Sequence, residues 1–313
     1  MYSFKLFCSS AVISEIFNDF NNFVDTTFCN MKNKLFQLNL SGNLFSLETP
    51  QVMGIINITP DSFFADSRKQ SELGILQRSE EIVAQGGTII DVGAYSSRPG
   101  ADDVSASEEM KRLRFALKII KQQHPNIPIS VDTFRADVAK MCVEEYGVDI
   151  INDIAAGELD DKMFRTVTDL KVPYIMMHMK GTPQNMQQKI QYGHFEQEVM
   201  AYFQQKIDRL LGMGLNDLIL DPGFGFSKTL EQNYQMMNWL DDLKIFQLPV
   251  LVGISRKSMI YKFLGCTAEK ALNGTSVLHT IAIQKGANIL RVHDVKEAVE
   301  TVKLMEMLKK QDI

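Results

Sequence analysis

TIIDVGAYSSRPGADDVSASEEMKRLRFALKIIKQQHPNIPISVDT (residues 88–133) is the stretch on which the fold turns. It opens on a short β-branched run, TIIDVG from Thr88, and closes on another, ISVDT from Ile129. Between them Met110, Leu113, Leu117 and Ile120 recur at helical spacing from Ser107 to Gln123. Ser107 reads as the N-cap, with Glu108 and Glu109 in the first turn, where the helix dipole favours acids. The two runs are apolar throughout instead of alternating, which indicates strands buried on both faces. Parallel strands need a crossover, and the helix supplies it.

The same cycle recurs outward in both directions. VMGIIN from Val52 precedes it; VDIIND from Val148, YIMMH from Tyr174, LILDPG from Leu218, VLVGIS from Val250 and NILRVH from Asn288 follow. About eight strand–helix units predict an α/β fold, a (β/α)8 TIM barrel, for which roughly 250 residues suffice. A doubly wound open sheet is the alternative, because pattern alone does not prove closure. Residues 32–50 differ: FQLN, a turn at Ser41, Gly42 and Asn43, then LFSL reads as a short N-terminal hairpin able to plug the barrel's bottom. Residues 1–30 are rich in Phe and Asn and lack an uninterrupted apolar core, so they read as a flexible N-terminal extension and not as a signal peptide. Met31 is expected to be the true start, with residues 31–313 forming the barrel domain.

The chain has 313 residues, 45% of them hydrophobic, and a net charge of −5, so no basic surface is expected to track a nucleic acid. Cys8, Cys29, Cys142 and Cys266 show no CxxC spacing and read as reduced thiols of a cytoplasmic protein. No apolar run approaches the roughly 18 residues of a membrane span.

In a parallel barrel the chemistry gathers at the C-terminal ends of the strands. Those ends carry Asn57, Asp132, Asn152 with Asp153, His178, Asp221, then Ser255, Arg256 and Lys257, and finally Arg291 and His293. Asp132, Asn152 and Asp221 together would read the edge of an aminopyrimidinone, whose NH2 and ring NH are adjacent donors. Lys257 would bond the ring carbonyl. Arg291 and His293 lie on the strand whose loop commonly helps to bind phosphate in barrels, and arginine forks suit phosphate oxygens. Asn57 is a neutral oxygen ligand of the kind Mg²⁺ accepts when substrate phosphates complete its shell. The set points to a heterocycle with a phosphate or diphosphate arm. Helix capping is the competing reading of Asp132. His178 reads as a core histidine hydrogen-bonded to backbone, His124, His194 and His279 carry no role, and Met176, Met177 and Met179 read as barrel lining. Gly223 and Gly225 half-match a dinucleotide fingerprint that lacks its third glycine.

These strand ends sit inside longer strings: MGIINITPDSFF (53–64), DVGAYSSRPGA (91–101), ISVDTFR (129–135), IINDIAAG (150–157), YIMMHMKGTPQNMQ (174–187), LILDPGFGFSK (218–228), GISRKSMI (253–260) and RVHDV (291–295). In this order the chain resembles the dihydropteroate synthase family over about residues 51–313. The resemblance implies condensation of 6-hydroxymethyl-7,8-dihydropterin diphosphate with p-aminobenzoate, assisted by Mg²⁺, by dissociative substitution. It implies that Asp132, Asn152, Asp221 and Lys257 hold the pterin with Met177 packed on the ring, and that Asp132, Lys257 and Arg291 carry the chemistry. Asn57, Arg98, Arg291 and His293 would hold the diphosphate and its metal, and Ser97, Pro99, Phe226, Ser255 and Phe63 would border the aminobenzoate. A homodimer is implied in the same way, with Val299, Val302, Met305 and Leu308 as the apolar side of the last helix. The chain departs from the family at Tyr95, Ser96 and Ser97, where Glu-Ser-Thr is common. An inactive pterin-binding paralogue and a methyltetrahydrofolate methyltransferase-like barrel are the alternatives.

Overall fold

The computed structural model describes residues 35–58, 68–95 and 104–311. The readings of residues 1–30 and of Phe63, Ser97, Arg98 and Pro99 therefore lie outside the described residues. From Phe36 onward the chain forms one compact unit.

The chain enters through a hairpin, β1 (Gln37–Leu40) and β2 (Asn43–Ser46), paired antiparallel. Its turn is only Ser41 and Gly42, at φ of 51° and 91°, and Asn43 belongs to the second strand, not to the turn. Two successive positive φ values match the right-handed twist of the flanking strands, and Asn39 Oδ1 accepts the Gly42 N–H at 2.7 Å.

Eight parallel strands follow: β3 (Gln51–Asn57), β4 (Ile89–Gly93), β5 (Ile129–Asp132), β6 (Ile150–Asp153), β7 (Tyr174–Met177), β8 (Leu218–Asp221), β9 (Leu251–Val252) and β10 (Ile289–Val292). Hydrogen bonding joins them in the order β8-β7-β6-β5-β4-β3-β10-β9. The ring closes between β8 and β9, where Leu220 bridges Val250 and donates to the Pro249 carbonyl at 2.9 Å. The barrel expectation holds, and the open sheet is excluded by that closure. Between and after the strands run α1 (Arg68–Ala84), α2 (Ala106–Gln123), α3 (Ala136–Tyr146), α4 (Met163–Leu170), α5 (Phe195–Gly212), α6 (Leu230–Asn238), α7 (Leu272–Gln284) and α8 (Val295–Lys309). The α2 cap is Ser105, whose Oγ accepts from Glu108 N at 3.2 Å; Ser107 lies inside the helix. Leu113, Leu117 and Ile120 are fully buried as their spacing predicts. On α8 the inward residues are Val295, Ala298, Thr301, Val302 and Met305, whereas Leu308, in the last turn, is exposed.

Side chains alternate along a strand, and this parity divides the core. Val52, Ile56, Ile90, Val92, Val131 and Leu220 face the helices. Met53, Ile89, Ile150, Ile175, Ile219, Leu251 and Ile289 face the lumen near its lower end, where Leu38, Leu40 and Leu47 of the hairpin close it. The hairpin does plug the bottom. Two residues further along, the lumen positions turn polar on β4, β6, β8 and β10, at Asp91, Asn152, Asp221 and Arg291. Among the described residues no helix is long and apolar enough to cross a membrane.

Candidate active site

The upper lumen is built by the same alternation. Asp91, Asn152, Met177, Asp221 and Arg291 each follow an apolar lumen residue by two, Asp132 follows Ser130 by two, and all point inward. Gly253 follows Leu251 in the same way, and Gly93, two residues beyond Asp91, pairs with Asp132. A Cβ on Gly93 would lie 3.5 Å from Asp132 Cβ and 3.6 Å from Asn57 Oδ1, and one on Gly253 would lie 3.9 Å from Lys257 Nζ. Each glycine thus leaves room for no more than a methyl group in contact with these polar neighbours.

Arg291 organises the charge. Its Nε donates to Asp91 Oδ2 at 2.7 Å and its Nη2 to Asp132 Oδ2 at 2.7 Å. Asp91 is wholly buried, and Asn152 Nδ2 reaches it at 3.4 Å. Burial raises the Asp132 carboxyl to about 7, with the Arg291 charge opposing and the Asp91 charge adding to the rise. Arg291 itself is held above its ordinary range by Asp91 and Asp132, against the effect of burial. Asp91 was not singled out from sequence. Its signal was a lone carboxylate inside TIIDVG, at a position of lumen parity.

Lys257 faces Asp221 across the mouth. Burial lowers its ammonium to about 8, with Asp221 and Asp132 opposing. Its Nζ donates to the Phe224 carbonyl at 2.6 Å and lies 4.7 Å from the centre of the Phe226 ring. Asp221 Oδ1 accepts from Gly223 N at 2.8 Å, and burial pushes its carboxyl up. Met177 joins Ile154, Met179 and Met186 in an apolar cluster against which Phe226 and Phe134 pack. Ser255 directs its Oγ to the His293 N–H at 3.2 Å, and the His293 carbonyl accepts from Arg78 Nη2 at 2.6 Å.

Three sequence readings need correction. Asp153 is not part of the mouth: by parity it faces the helices, where it accepts from Tyr174 Oη at 2.6 Å and from the N–H groups of Ala155 and Gly157. Met176 likewise lies on the helix side, unlike Met177 and Met179. The His178 ring is in the core as expected, but its Nδ1 meets Lys228 Nζ at 2.9 Å and not a backbone group. Arg256, unassigned from sequence, makes a fork to Asp294 at 2.7 and 2.8 Å while its backbone sits at φ 53°. That pair ties the loop carrying Ser255 and Lys257 to the residue after His293.

A family model described as pterin binding enzyme matches residues 53–293. The chain belongs to the dihydropteroate synthase family. It is 39% identical to the dihydropteroate synthase of Escherichia coli (strain K12) over 267 residues, 85% of this chain and 94% of that one. The Haemophilus influenzae dihydropteroate synthase is 37% identical over 272 residues, 86% of this chain and 98% of that one. Among solved structures, the Yersinia pestis dihydropteroate synthase in a sulfonamide drug complex superposes with a TM-score of 0.79 at 37% identity, covering 88% of this chain and all of the other. The Xanthomonas albilineans dihydropteroate synthase with 4-aminobenzoic acid gives 0.80 at 32% identity, covering 88% and 99%. As a dihydropteroate synthase, the chain is a transferase.

Proposed function

We propose that this mouth condenses 6-hydroxymethyl-7,8-dihydropterin diphosphate with p-aminobenzoate to 7,8-dihydropteroate and diphosphate. The observation that carries the reading is the set of half-buried Asp132 and buried Asn152 and Asp221 facing Lys257 and Arg291 beside Gly93 and Gly253. Buried carboxylates need donors, and a pterin edge offers NH2 and ring NH side by side. Lys257 would exchange the Phe224 carbonyl for the pterin carbonyl oxygen. Met177 supplies an apolar face for the ring.

The residues also fit a divalent cation. Asn57 ends β3 exposed, with its Oδ1 near Gly93 and Asp132, and Mg²⁺ needs few protein ligands where phosphates and waters complete its shell. When bound there, Mg²⁺ would spread the diphosphate's negative charge. His293, Arg291 and Arg98 complete the diphosphate side of the proposal, and Ser97, Pro99, Phe226, Ser255 and Phe63 the arylamine side.

In the step itself the bond from the methylene carbon to the diphosphate oxygen breaks, and its electron pair leaves with the diphosphate. The cation left behind is shared with the dihydropterin ring, and ionised Asp132 stabilises it in a low-dielectric pocket. The neutral arylamine nitrogen then forms the new C–N bond and releases a proton to solvent. No nucleophile–base pair is needed; orientation and exclusion of water remain for the protein.

The test is diphosphate release by the purified protein, given the pterin diphosphate and Mg²⁺, with and without p-aminobenzoate. Release together with dihydropteroate is expected. Tight pterin binding without release would leave a pterin-binding protein only. The proposal includes a homodimer in the cytoplasm. Exposed Leu304, Met307 and Leu308 on α8 offer an apolar strip for a second copy. Sedimentation of the wild type against Leu304→Glu checks it, and a monomeric wild type would contradict it.

A further inference from the structure

Lys228 stands outside the chemistry proposed above, yet it is 4% exposed and, among the described residues, touches no carboxylate at ion-pair distance. Four acceptors surround its Nζ: His178 Nδ1 at 2.9 Å, Gly223 O at 3.0 Å, Phe226 O at 3.1 Å and His178 O at 3.2 Å. An ammonium has three protons, a neutral amine only two, so this surround is best satisfied by the charged form. Burial works against the charge and pushes the group well below the usual lysine range, with Asp221 opposing. The His178 ring, also buried, is pushed well below its ordinary range and presents Nδ1 as an acceptor.

The carbonyls belong to two segments that would otherwise repel. The chain after β8 passes so close to β7 that a Cβ on Gly223 would lie 2.1 Å from the His178 carbonyl oxygen. His178 O and Gly223 O both turn to the same ammonium, which bridges them as a bound cation would. The loop thus closed begins at Asp221, whose carboxylate it fixes through Gly223 N, passes the Phe224 carbonyl that receives Lys257, and ends on the Phe226 ring beside Lys257. Ser227, at φ 45° and wholly buried, then places Lys228 back under the loop.

We propose that Lys228 is a positioning residue of the pterin subsite, its ammonium filling a hole of three main-chain carbonyls and the His178 ring and so holding Asp221, Phe224 and Phe226 in register with Lys257. This deepens the pterin reading and rests on it. It separates Lys228 from Lys257, two residues of one type in one motif-rich region: the first is sealed beneath the loop, the second faces the mouth.

The experiment is Lys228→Met, which keeps the unbranched length and removes the donors. Hydrogen exchange of residues 222–228 should speed up about tenfold or more, with residues 129–157 unchanged. kcat/KM for the pterin diphosphate should fall about 100-fold, while KM for p-aminobenzoate, which Phe226 borders from the same loop, rises by about tenfold at most. Unchanged loop exchange with unchanged kcat/KM would overturn the proposal, as would a uniform rise in exchange with equal losses toward both substrates. If Lys228→Met does not fold, His178→Phe takes its place. It leaves the three carbonyls on Lys228, and a loss of about tenfold in kcat/KM for the pterin diphosphate, larger than the change toward p-aminobenzoate, is expected; no change would overturn the proposal. A wild type that makes no dihydropteroate would sink the activity reading, and the loop-exchange arm would still decide the role of Lys228.

Discussion

Asp132 and Arg291 meet across the barrel mouth at 2.7 Å, and the same guanidinium holds the wholly buried Asp91. Two carboxylates thus share one cation, and the nearer one to the opening is the one proposed to face the pterin. Arg291 therefore compensates the charge of β4 and β5, and it is the group proposed to meet the leaving diphosphate. Lys257 and Asp221 form a second, looser opposition on the other side.

Asp132→Asn keeps size and hydrogen bonding but removes the charge that stabilises the pterin cation. Turnover should fall by about 10²–10³, and pterin affinity by less than about tenfold, as read by single-turnover kinetics and calorimetric titration. Equal losses in both would count against the electrostatic role.

Arg291→Ala would leave Asp91 and Asp132 without their cation. Denaturant unfolding should show a loss of about 3–5 kcal/mol, because a buried charge is left uncompensated. Adding Asp91→Asn should recover part of it. Activity should lose its dependence on Mg²⁺ and diphosphate concentration. An unaltered unfolding midpoint would mean that the two acids find other partners.

The pH profile follows from two groups. The proposed step needs Asp132 ionised, with its carboxyl near 7, and Lys257 protonated, with its ammonium near 8. kcat/KM for the pterin diphosphate should be bell-shaped, with its limbs near those values. Stability runs the other way. The folded Asp132 holds its proton more tightly than an ordinary aspartate at 3.8, so its contribution falls as pH rises from there through about 7. Lys257, lowered from 10.5 to about 8, releases its proton sooner when folded, so its contribution rises with pH across that window. Melting temperature against pH should therefore dip where activity peaks, and Asp132→Asn should remove the acid limb of both curves. An acid limb that survives this substitution assigns it to another group.

Gly223→Ala would meet both a positive φ of 70° and the His178 carbonyl oxygen at 2.1 Å. The two penalties together predict a loss of roughly 2–5 kcal/mol. Chemical denaturation measures it; a loss below about 1 kcal/mol would show that the loop relaxes away from β7.

Much of this was legible in the sequence, and the reason is periodicity. Continuous apolar runs separated by helical spacing determined eight parallel strands, and the polar residue closing each run located Asp132, Asn152, Asp221, Lys257 and Arg291 at the mouth. Motif strings then identified the family. Parity misled where two polar or methionine residues sit side by side, as in Asn152 with Asp153 and Met176 with Met177, since only pairing register decides which one faces the lumen. The partnerships were beyond reach. Asp91 and Arg291 lie 200 residues apart, and Lys228 and His178 lie 50 apart. Side-chain type marks a residue as needing a partner, but strand order chooses which one, because it sets β10 one strand from β4 across β3 and β8 directly beside β7.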